Sequence, residues 1–315
     1  MKRAFFFVVA IVILCSFPSQ LLALPDGAIA RLGVGDVKEI VFSPDGKYLA
    51  VASSIGVFLL DPLNLTEIYF FKQRAPIGGE NWIASIAFSP DSSVLAMGSD
   101  YNTIKLLDVK SRKEIGILGP WKNQCHWVIS LAFSPDGSLL ASGVKSLFGK
   151  DSTIKLWDVK GRTNIATLEG HTSSVNSVAF SPDGGVLAST YLKGISLWDV
   201  KSHEEIDRFG ISSNSDFCSI AFSPDGSILA SGCYGVSHGH PMSIIYLWDV
   251  KSHKEIATLE GHSDTVYSIA FSPDGDILAS GSGDYTIKLW DVKSHKEIRT
   301  IKGKNWNVVT SVATR

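Results

Sequence analysis

Apolar residues occur along the chain in short runs of strand length, and residues that favour turns separate the runs. In the middle of the chain, for example, the segments 175–180, 186–190 and 195–198 are apolar. Ser181-Pro182-Asp183-Gly184 separates the first two segments, and each of its residue types favours a tight turn. Because no segment shows the period of an amphipathic helix, the pattern predicts an all-β fold of antiparallel strands.

This unit of strands and turn is repeated, and the repeat predicts the architecture. Phe-Ser-Pro-Asp occurs in six copies, and a Trp-Asp or Leu-Asp pair follows each of them. The copies begin at Phe42, Phe88, Phe133, Phe180, Phe222 and Phe271, and the pairs begin at Leu60, Leu107, Trp157, Trp198, Trp248 and Trp290. A spacing of roughly 40 to 50 residues is that of a four-stranded propeller blade. The apolar residues around the first strand face the neighbouring blades on both sides. A single blade cannot bury both of these faces, so the blades must stack in a ring.

Serine recurs at one position of the predicted innermost strand, each time two residues before an alanine. The serines are Ser85, Ser130, Ser177, Ser219, Ser268 and Ser311. Small side chains suit strands that crowd around a central axis. We therefore expect Ser and Ala to line the central channel, with Glu39 as the one acid there.

The two ends of the chain leave the number of blades open. The segment 29–32 resembles an outer strand before the first copy, and 298–301 resembles one after the sixth. The segment 308–313 matches an inner strand. We expect a seven-bladed ring whose last blade is incomplete and takes strands from both ends of the chain. A six-bladed ring with spare strands is the alternative.

The first residues differ from the rest of the chain. A basic Met1-Lys2-Arg3 head precedes an uncharged apolar run over 4–17, and a small residue stands before Leu24. This order is typical of a secretory signal peptide. A membrane span needs about 20 apolar residues, and this run is shorter. We predict a signal peptide over 1–23 and a secreted or periplasmic propeller domain over 24–315. An uncleaved membrane anchor is the alternative.

The charge of the chain bears on the class of partner, and its cysteine content bears on whether disulfides stabilise the fold. The formal net charge is −2, and no basic stripe is present, so we expect neither a nucleic-acid partner nor stable membrane insertion after the leader is removed. Cys125, Cys218 and Cys233 are too few for a disulfide scaffold. A bridge between Cys218 and Cys233 is disfavoured, because their strand registers differ by about two residues.

The Gly-His pair, the Ser-Pro-Asp-Gly turn and the Trp-Asp end together resemble the WD-repeat family, and the leader suggests a bacterial exported member. In that family a hydrogen-bonded tetrad locks each blade. For the sixth copy, the resemblance implies a tetrad of His262, Ser280, Asp284 and Trp290.

Other copies keep only part of the tetrad. The fourth has Leu192 in place of Asp, and the third has Gln124 in place of His. The residues that these two copies keep are His171, Ser189 and Trp198 in the fourth and Ser142, Asp151 and Trp157 in the third. The first two copies lack the Trp, so we expect their blades to be less rigid.

The family resemblance and the absence of catalytic motifs favour a scaffold that binds a protein or peptide partner, without enzymatic activity or a cofactor. Loops on a rigid framework commonly carry binding, and exposed aromatic residues are favoured contacts. The more variable of the two loop faces supplies the candidate partner-binding residues Trp82, Trp121, Trp127, Phe148, Tyr191 and Tyr234.

Two other functions stay open. The first is a propeller enzyme or a metal-dependent binder that uses His238 and His240, because two His at alternating positions can act as metal ligands. No third ligand is evident, however, and we expect no metal. A fragment of a larger repeat protein is the other. His203, His253 and His295 lie one blade apart, too far to share a metal, and we expect them to be solvated turn residues.

Overall fold

The computed structural model describes residues 37–72, 83–99, 103–119, 126–146, 152–192, 194–210, 215–237, 240–302 and 311–312. Within these ranges the regular structure consists of 24 strands, as the alternation of apolar and polar residues predicts. None of the described residues belongs to a helix that is long and apolar enough to cross a membrane.

Six four-stranded antiparallel sheets, each made of four consecutive strands, form the blades of a propeller. Blade 1 consists of β1 (Val37–Phe42), β2 (Leu49–Ser53), β3 (Gly56–Leu60) and β4 (Glu67–Lys72), and blade 2 of β5 (Ile83–Phe88), β6 (Val94–Ser99), β7 (Ile104–Asp108) and β8 (Lys113–Leu118). Blade 3 consists of β9 (His126–Phe133), β10 (Leu139–Ser146), β11 (Ile154–Asp158) and β12 (Thr163–Leu168), and blade 4 of β13 (Ser177–Phe180), β14 (Val186–Tyr191), β15 (Gly194–Asp199) and β16 (Glu205–Phe209). Blade 5 consists of β17 (Ser215–Phe222), β18 (Ile228–Ser237), β19 (His240–Asp249) and β20 (Lys254–His262), and blade 6 of β21 (Val266–Phe271), β22 (Ile277–Ser282), β23 (Thr286–Asp291) and β24 (Lys296–Lys302).

The repeated Ser-Pro-Asp-Gly turn is held by its own side chains. In blade 4, Ser181 Oγ donates to Asp183 Oδ1 at 2.6 Å and accepts the amide of Val186 at 2.9 Å. The hydrogen bond from Ser181 lowers the pKa of Asp183. Gly184 has a φ of 75°, which only glycine adopts without strain. These bonds fix the turn between the first and second strands and so set the register of the blade.

The hydrophobic core lies between the blades. Ile154 and Leu156 of blade 3 pack against Leu187 and Trp198 of blade 4, and all four side chains are buried. The Trp of each Trp-Asp pair faces the preceding blade, where its large ring fills the interface. A single blade would leave both faces in water, so the ring is required for stability.

Serines of the inner strands join neighbouring blades by hydrogen bonds. Ser85 Oγ accepts the Leu131 amide of blade 3 at 3.0 Å, and Ser130 Oγ accepts the Val178 amide of blade 4 at 3.0 Å. In blade 1 the same bond is made by a carboxylate, since Glu39 Oε2 accepts the Ile86 amide at 2.6 Å. These positions, which are expected to line the channel, therefore also join the blades, because their oxygen atoms accept hydrogen bonds from the next blade.

The expectation of a seven-bladed ring is wrong, because the structure has six four-stranded blades. The predicted outer strand 298–301 is part of β24, and the segment 29–32 lies outside the described residues. Ser311 and Val312 do not form a strand. Ser311 Oγ instead accepts the Ile40 amide of blade 1, and the Val312 amide donates to Ser268 of blade 6. Ser311 thus accepts an inter-blade hydrogen bond as the inner-strand serines do, and the residues on either side of 311–312 lie outside the described part of the chain.

Candidate partner-binding face

The topology of a blade places its loops at two opposite ends. Connections from the second to the third strand, and from one blade to the next, emerge at one end, which we call the varied face. Large apolar side chains are exposed there, either in these connections or at the adjoining ends of first and second strands. Among the described residues they are Ile55, Trp127, Leu192, Tyr234, Tyr267 and Tyr285. Exposed aromatic and aliphatic side chains on one face of a rigid ring are typical of a binding surface.

Two predicted contact residues, Trp127 and Tyr234, are 38% and 37% exposed. Trp127 lies opposite Lys145 in blade 3, and the Lys145 ammonium stands 5.8 Å from the centre of the indole ring. Tyr234 lies opposite Asp216 in blade 5. Each aromatic residue is thus paired across its hairpin with a charged residue.

Asp216 is in contact with blade 4, and the Lys145 ammonium of blade 3 acts on it electrostatically. Asn176 Nδ2 donates to Asp216 Oδ1 at 3.3 Å and to the Phe217 carbonyl at 2.9 Å. Leu192 forms a β-bridge with Asp216. We call the group formed by Trp127, Lys145, Asn176, Leu192, Asp216 and Tyr234 the Asp216 patch. It spans blades 3, 4 and 5 on the varied face.

The electrostatics of the patch centre on the half-buried carboxylate. Burial raises the pKa of Asp216, while the Asn176 hydrogen bond and the Lys145 ammonium oppose that rise. A carboxylate that is partly removed from water gains from contact with a further cation. Faces of Trp and Tyr rings attract cations as well. The patch can therefore accommodate a positively charged group of a partner.

The remaining predicted contact residues have other positions. Tyr191 is buried, with the His171 ring edge-on at 5.5 Å and the Arg208 guanidinium 5.4 Å above its face. It packs within blade 4 and is not a surface contact. Trp82, Trp121 and Phe148 lie outside the described residues.

The tetrad residues of blade 6 are joined by hydrogen bonds. Ser280 Oγ lies 2.7 Å from His262 Nε2 and 2.8 Å from Trp290 Nε1, and His262 Nδ1 lies 2.8 Å from Asp284 Oδ2. Although burial opposes it, hydrogen bonds from His262 and Thr286 hold the pKa of Asp284 well below its ordinary value. The set contains the groups of a Ser-His-Asp catalytic triad. Ser280 is 0% exposed, however, and the Trp290 indole donates to its oxygen, so the arrangement locks the blade.

Blade 4 keeps part of this network. His171 Nε2 and Trp198 Nε1 lie 2.9 Å and 3.0 Å from Ser189 Oγ. Leu192 stands where Asp is expected, and within the described structure His171 Nδ1 has no hydrogen-bond partner. Burial, with the nearby Arg208, lowers the pKa of His171 to about 4. Blade 4 therefore has an exposed leucine, Leu192, at the position of the tetrad Asp, and this leucine is part of the Asp216 patch.

In blade 3, the Trp157 indole donates to Ser142 at 2.9 Å, while Gln124 and Asp151 lie outside the described residues. Blades 1 and 2 have Leu60 and Leu107 at the Trp position, and both are buried.

Histidine and cysteine positions bear on the possibility of a metal site. In the part of the chain that the structure describes, no three His, Cys, Asp or Glu residues are grouped as metal ligands would be. His240 lies opposite Ser237 on β19, and His238 is outside the described residues. Cys218 and Cys233 are free thiols, and burial raises their pKa values to about 12 and about 11. Protonated thiols of this kind are poor metal ligands.

The three turn histidines share a backbone conformation but not their contacts. His203, His253 and His295 all have φ near +60°, with values of 64°, 56° and 57°. His253 Nδ1 also lies 2.6 Å from Asp207 Oδ2, and its ring stacks on Phe209 of blade 4. His253 therefore links two blades, in addition to its place in the turn.

A model of the WD40 family, described as WD domain, G-beta repeat, matches residues 71–108, 120–158, 162–199, 208–236 and 253–291. The chain belongs to the WD40 family. Its matched segments cover most of blades 2, 3, 4 and 6 and the first half of blade 5. WD40 propellers are commonly protein-interaction scaffolds, are generally non-catalytic and usually bind protein partners.

Two curated relatives are similar over part of the chain. An uncharacterized WD repeat-containing protein of Synechocystis is 27% identical over 163 residues, which is 51% of this chain and 43% of that protein. The DDB1- and CUL4-associated factor 10 of Homo sapiens is 30% identical over 125 residues, which is 39% of this chain and 21% of that protein. The matched region thus spans less than half of either relative.

Proposed function

We propose that this WD40 propeller is an exported, non-catalytic scaffold that binds a protein or peptide partner at the Asp216 patch. The observation that carries the proposal is that the exposed Trp127 and Tyr234 share one face of the ring with the half-buried Asp216 carboxylate, which lies opposite Tyr234 and is influenced by Lys145, the residue opposite Trp127. WD40 propellers usually bind protein partners, which supports a protein over other ligand classes.

The chemistry of the patch favours a segment with a basic residue flanked by apolar ones. The basic group would contact Asp216, and the apolar residues would cover Leu192 and the two aromatic rings. Aromatic side chains at the centre of an interface commonly contribute most of its binding energy. With a formal net charge of −2, the chain lacks the excess positive charge that favours nucleic acid.

A non-catalytic role is supported by the surroundings of the tetrad. Its serine is inaccessible, and its hydroxyl oxygen accepts the Trp290 hydrogen bond. A serine nucleophile would have to reach a substrate and transfer its proton to the histidine. We therefore assign the tetrad a structural role and the varied face the binding role, with no cofactor.

Export is supported by the first residues, in which a basic head and an apolar run resemble a secretory leader. We propose cleavage after residue 23 and a secreted or periplasmic propeller domain over 24–315. Expression of the full chain in a bacterial host, followed by fractionation and N-terminal sequencing, tests this. A mature protein that starts near Leu24 outside the inner membrane supports export, whereas an intact chain in the cytoplasm contradicts it.

Binding is tested by screening the purified protein against an array of peptides of varied charge and apolar content. We expect basic-apolar peptides to bind, and we expect Trp127→Ala combined with Tyr234→Ala to weaken binding at least about tenfold. Asp216→Asn should weaken binding of the basic peptides most.

Leu63→Ala is the matched control, because Leu63 is exposed in a turn at the opposite end of its blade. The proposal fails if the control and the double variant bind the array equally well.

A further inference from the structure

Cys218 and Cys233 lie next to each other across the inner hairpin of blade 5. Phe217 on β17 pairs with Cys233, and the next pair along the hairpin is Ser219 with Gly232. Cys218 is therefore the extra residue of a β-bulge and lies beside Cys233. The sequence alone sets the two cysteines about two residues apart in register, and the bulge removes that offset. Residues opposite each other on antiparallel strands have Cα atoms about 4.5–5.5 Å apart, which is within the range of about 4.4–6.8 Å that a disulfide needs.

Among the described inner hairpins, that of blade 5 alone has a cysteine on both strands at such a bulge. The inner hairpins of blades 1, 2, 3 and 6 have a bulge at the same place. The residues that match Cys218 there are Lys38, Ala84, Ile129 and Tyr267, and those that match Cys233 are Ser53, Ser99, Val144 and Ser282. Packing of a blade therefore requires cysteine at neither position, yet both cysteines of the described part of the chain lie at this one bulge.

The two thiols differ in their access to solvent. Cys233 is 2% exposed and packs in the core between blades 4 and 5. Cys218 is partly exposed, and its Sγ donates to the Asp216 carbonyl oxygen at 3.6 Å. Burial raises the pKa of Cys218 to about 12, and the nearby Asp216 carboxylate and Cys233 thiol add to the rise. This influence of Cys233 agrees with its place beside Cys218, and Cys218 is the thiol of the two that an external oxidant can reach.

We propose that Cys218 and Cys233 are a redox pair, which an external disulfide, either a small molecule or a protein, converts into a cross-strand disulfide. The Cys218 thiolate attacks the oxidant RSSR, so that a mixed disulfide forms at Cys218 and RS⁻ leaves. The Cys233 thiolate then attacks the Cys218 sulfur and expels the second RS⁻. The two thiols together lose two protons and two electrons, and the oxidant is reduced to two RSH, which take up the protons.

This disulfide lies directly beneath the Asp216 patch. Asp216 is two residues before Cys218, Tyr234 follows Cys233, and Asp216 pairs with Tyr234 across the same hairpin. Oxidation also removes the Cys218 thiol proton, and with it the bond to the Asp216 carbonyl oxygen. The redox state of the pair therefore acts on the backbone of the patch. Its consequence for partner binding rests on the proposed function, whereas formation of the disulfide does not.

The test is oxidation of the purified full chain by oxidised glutathione at pH 9, without denaturant, because more of each thiol is ionised there than at neutral pH. Residues 209–250 contain no Lys or Arg, so trypsin releases both cysteines in the single peptide 209–251. After the reaction is stopped and free thiols are alkylated under denaturing conditions, mass spectrometry measures this peptide. We expect it to be about 2 Da lighter than its reduced form, with no alkyl group and no glutathione.

Cys233→Ser is the matched control, because it removes the second step alone. This variant should stop at the mixed disulfide with glutathione. Cys218→Ser should keep an unreacted thiol, since Cys233 is buried. The proposal is overturned if wild type also stops at the mixed disulfide, if both of its cysteines are still alkylated, or if they form disulfides between chains. Each of these results leaves the proposed peptide binding to be decided by its own experiment.

Discussion

Gly232 lies on β18 where blade 5 packs against blade 6, and replacing it with alanine tests how tightly the blades are packed. A Cβ atom at this position would lie 2.7 Å from Val266 Cγ1 and 3.2 Å from the Val266 carbonyl oxygen. Both distances are below van der Waals contact, and the second atom belongs to backbone that cannot rotate away. The ring must therefore shift or strain to accept the methyl group.

Overpacking of this kind costs about 1–3 kcal/mol. Replacement of a strand glycine by alanine returns about 0.5–1 kcal/mol through lower unfolded-state entropy. We therefore expect Gly232→Ala to lower the free energy of unfolding by up to about 2.5 kcal/mol. Urea unfolding followed by tryptophan fluorescence measures the difference.

A double-mutant cycle identifies the contact that is responsible. Val266→Ala alone should destabilise the interface by leaving a cavity. In the Gly232→Ala background the same substitution should relieve the clash. The double variant should therefore be more stable than the sum of the two single effects predicts. Gly185→Ala is the control, since its Cβ would meet no atom closer than 3.5 Å. Strictly additive effects of the two substitutions would refute the inferred packing.

Two further predictions concern the tetrad and the turns. Ser280→Ala should lower the free energy of unfolding by about 3 kcal/mol, because it leaves both His262 Nε2 and the Trp290 indole without their hydrogen-bond partner. Ser231→Ala removes the partner of the Trp248 indole and should cost about 1–2 kcal/mol. Equal losses of the two variants in urea unfolding would contradict the added contribution of the tetrad. His203→Gly should raise the thermal midpoint, with a gain of about 0.5–1 kcal/mol, because it relieves a non-glycine residue at a φ of 64°. His253→Gly should raise it less or lower it, since this change removes the contacts with Asp207 and Phe209.

The strands and turns were predictable because their signals are local. Proline, aspartate and glycine at fixed places define each first turn, and the apolar runs on either side have strand length. The inter-blade hydrogen bonds were not predictable. A serine that is present because its side chain is small cannot be distinguished, from the sequence, from a serine that accepts a hydrogen bond from the next blade. The same ambiguity produced the wrong blade count, because Ser311 resembles an inner-strand serine, whereas the described residues form six four-stranded blades.

The candidate site was predicted only in part. Trp127 and Tyr234 are exposed on the varied face, but Lys145, Asn176 and Asp216 were not selected, since their proximity depends on the curvature of the ring. Leu192 could have been found, because an apolar residue in place of the tetrad Asp has no structural reason to be there.

Tyr191 could have been excluded from the site on the sequence alone. It lies two residues after the tetrad Ser189, hence on the same face of β14, and that face is buried.

The proposed partner of the Asp216 patch is a basic, apolar peptide segment. The most direct measurement is the Kd of an array-selected peptide for wild type, Asp216→Asn, Trp127→Ala and Leu63→Ala, by calorimetry at two salt concentrations. The account predicts weaker binding for the first two variants, an unchanged Kd for Leu63→Ala, and a salt dependence that Asp216→Asn reduces. Equal affinity of all four proteins would contradict it.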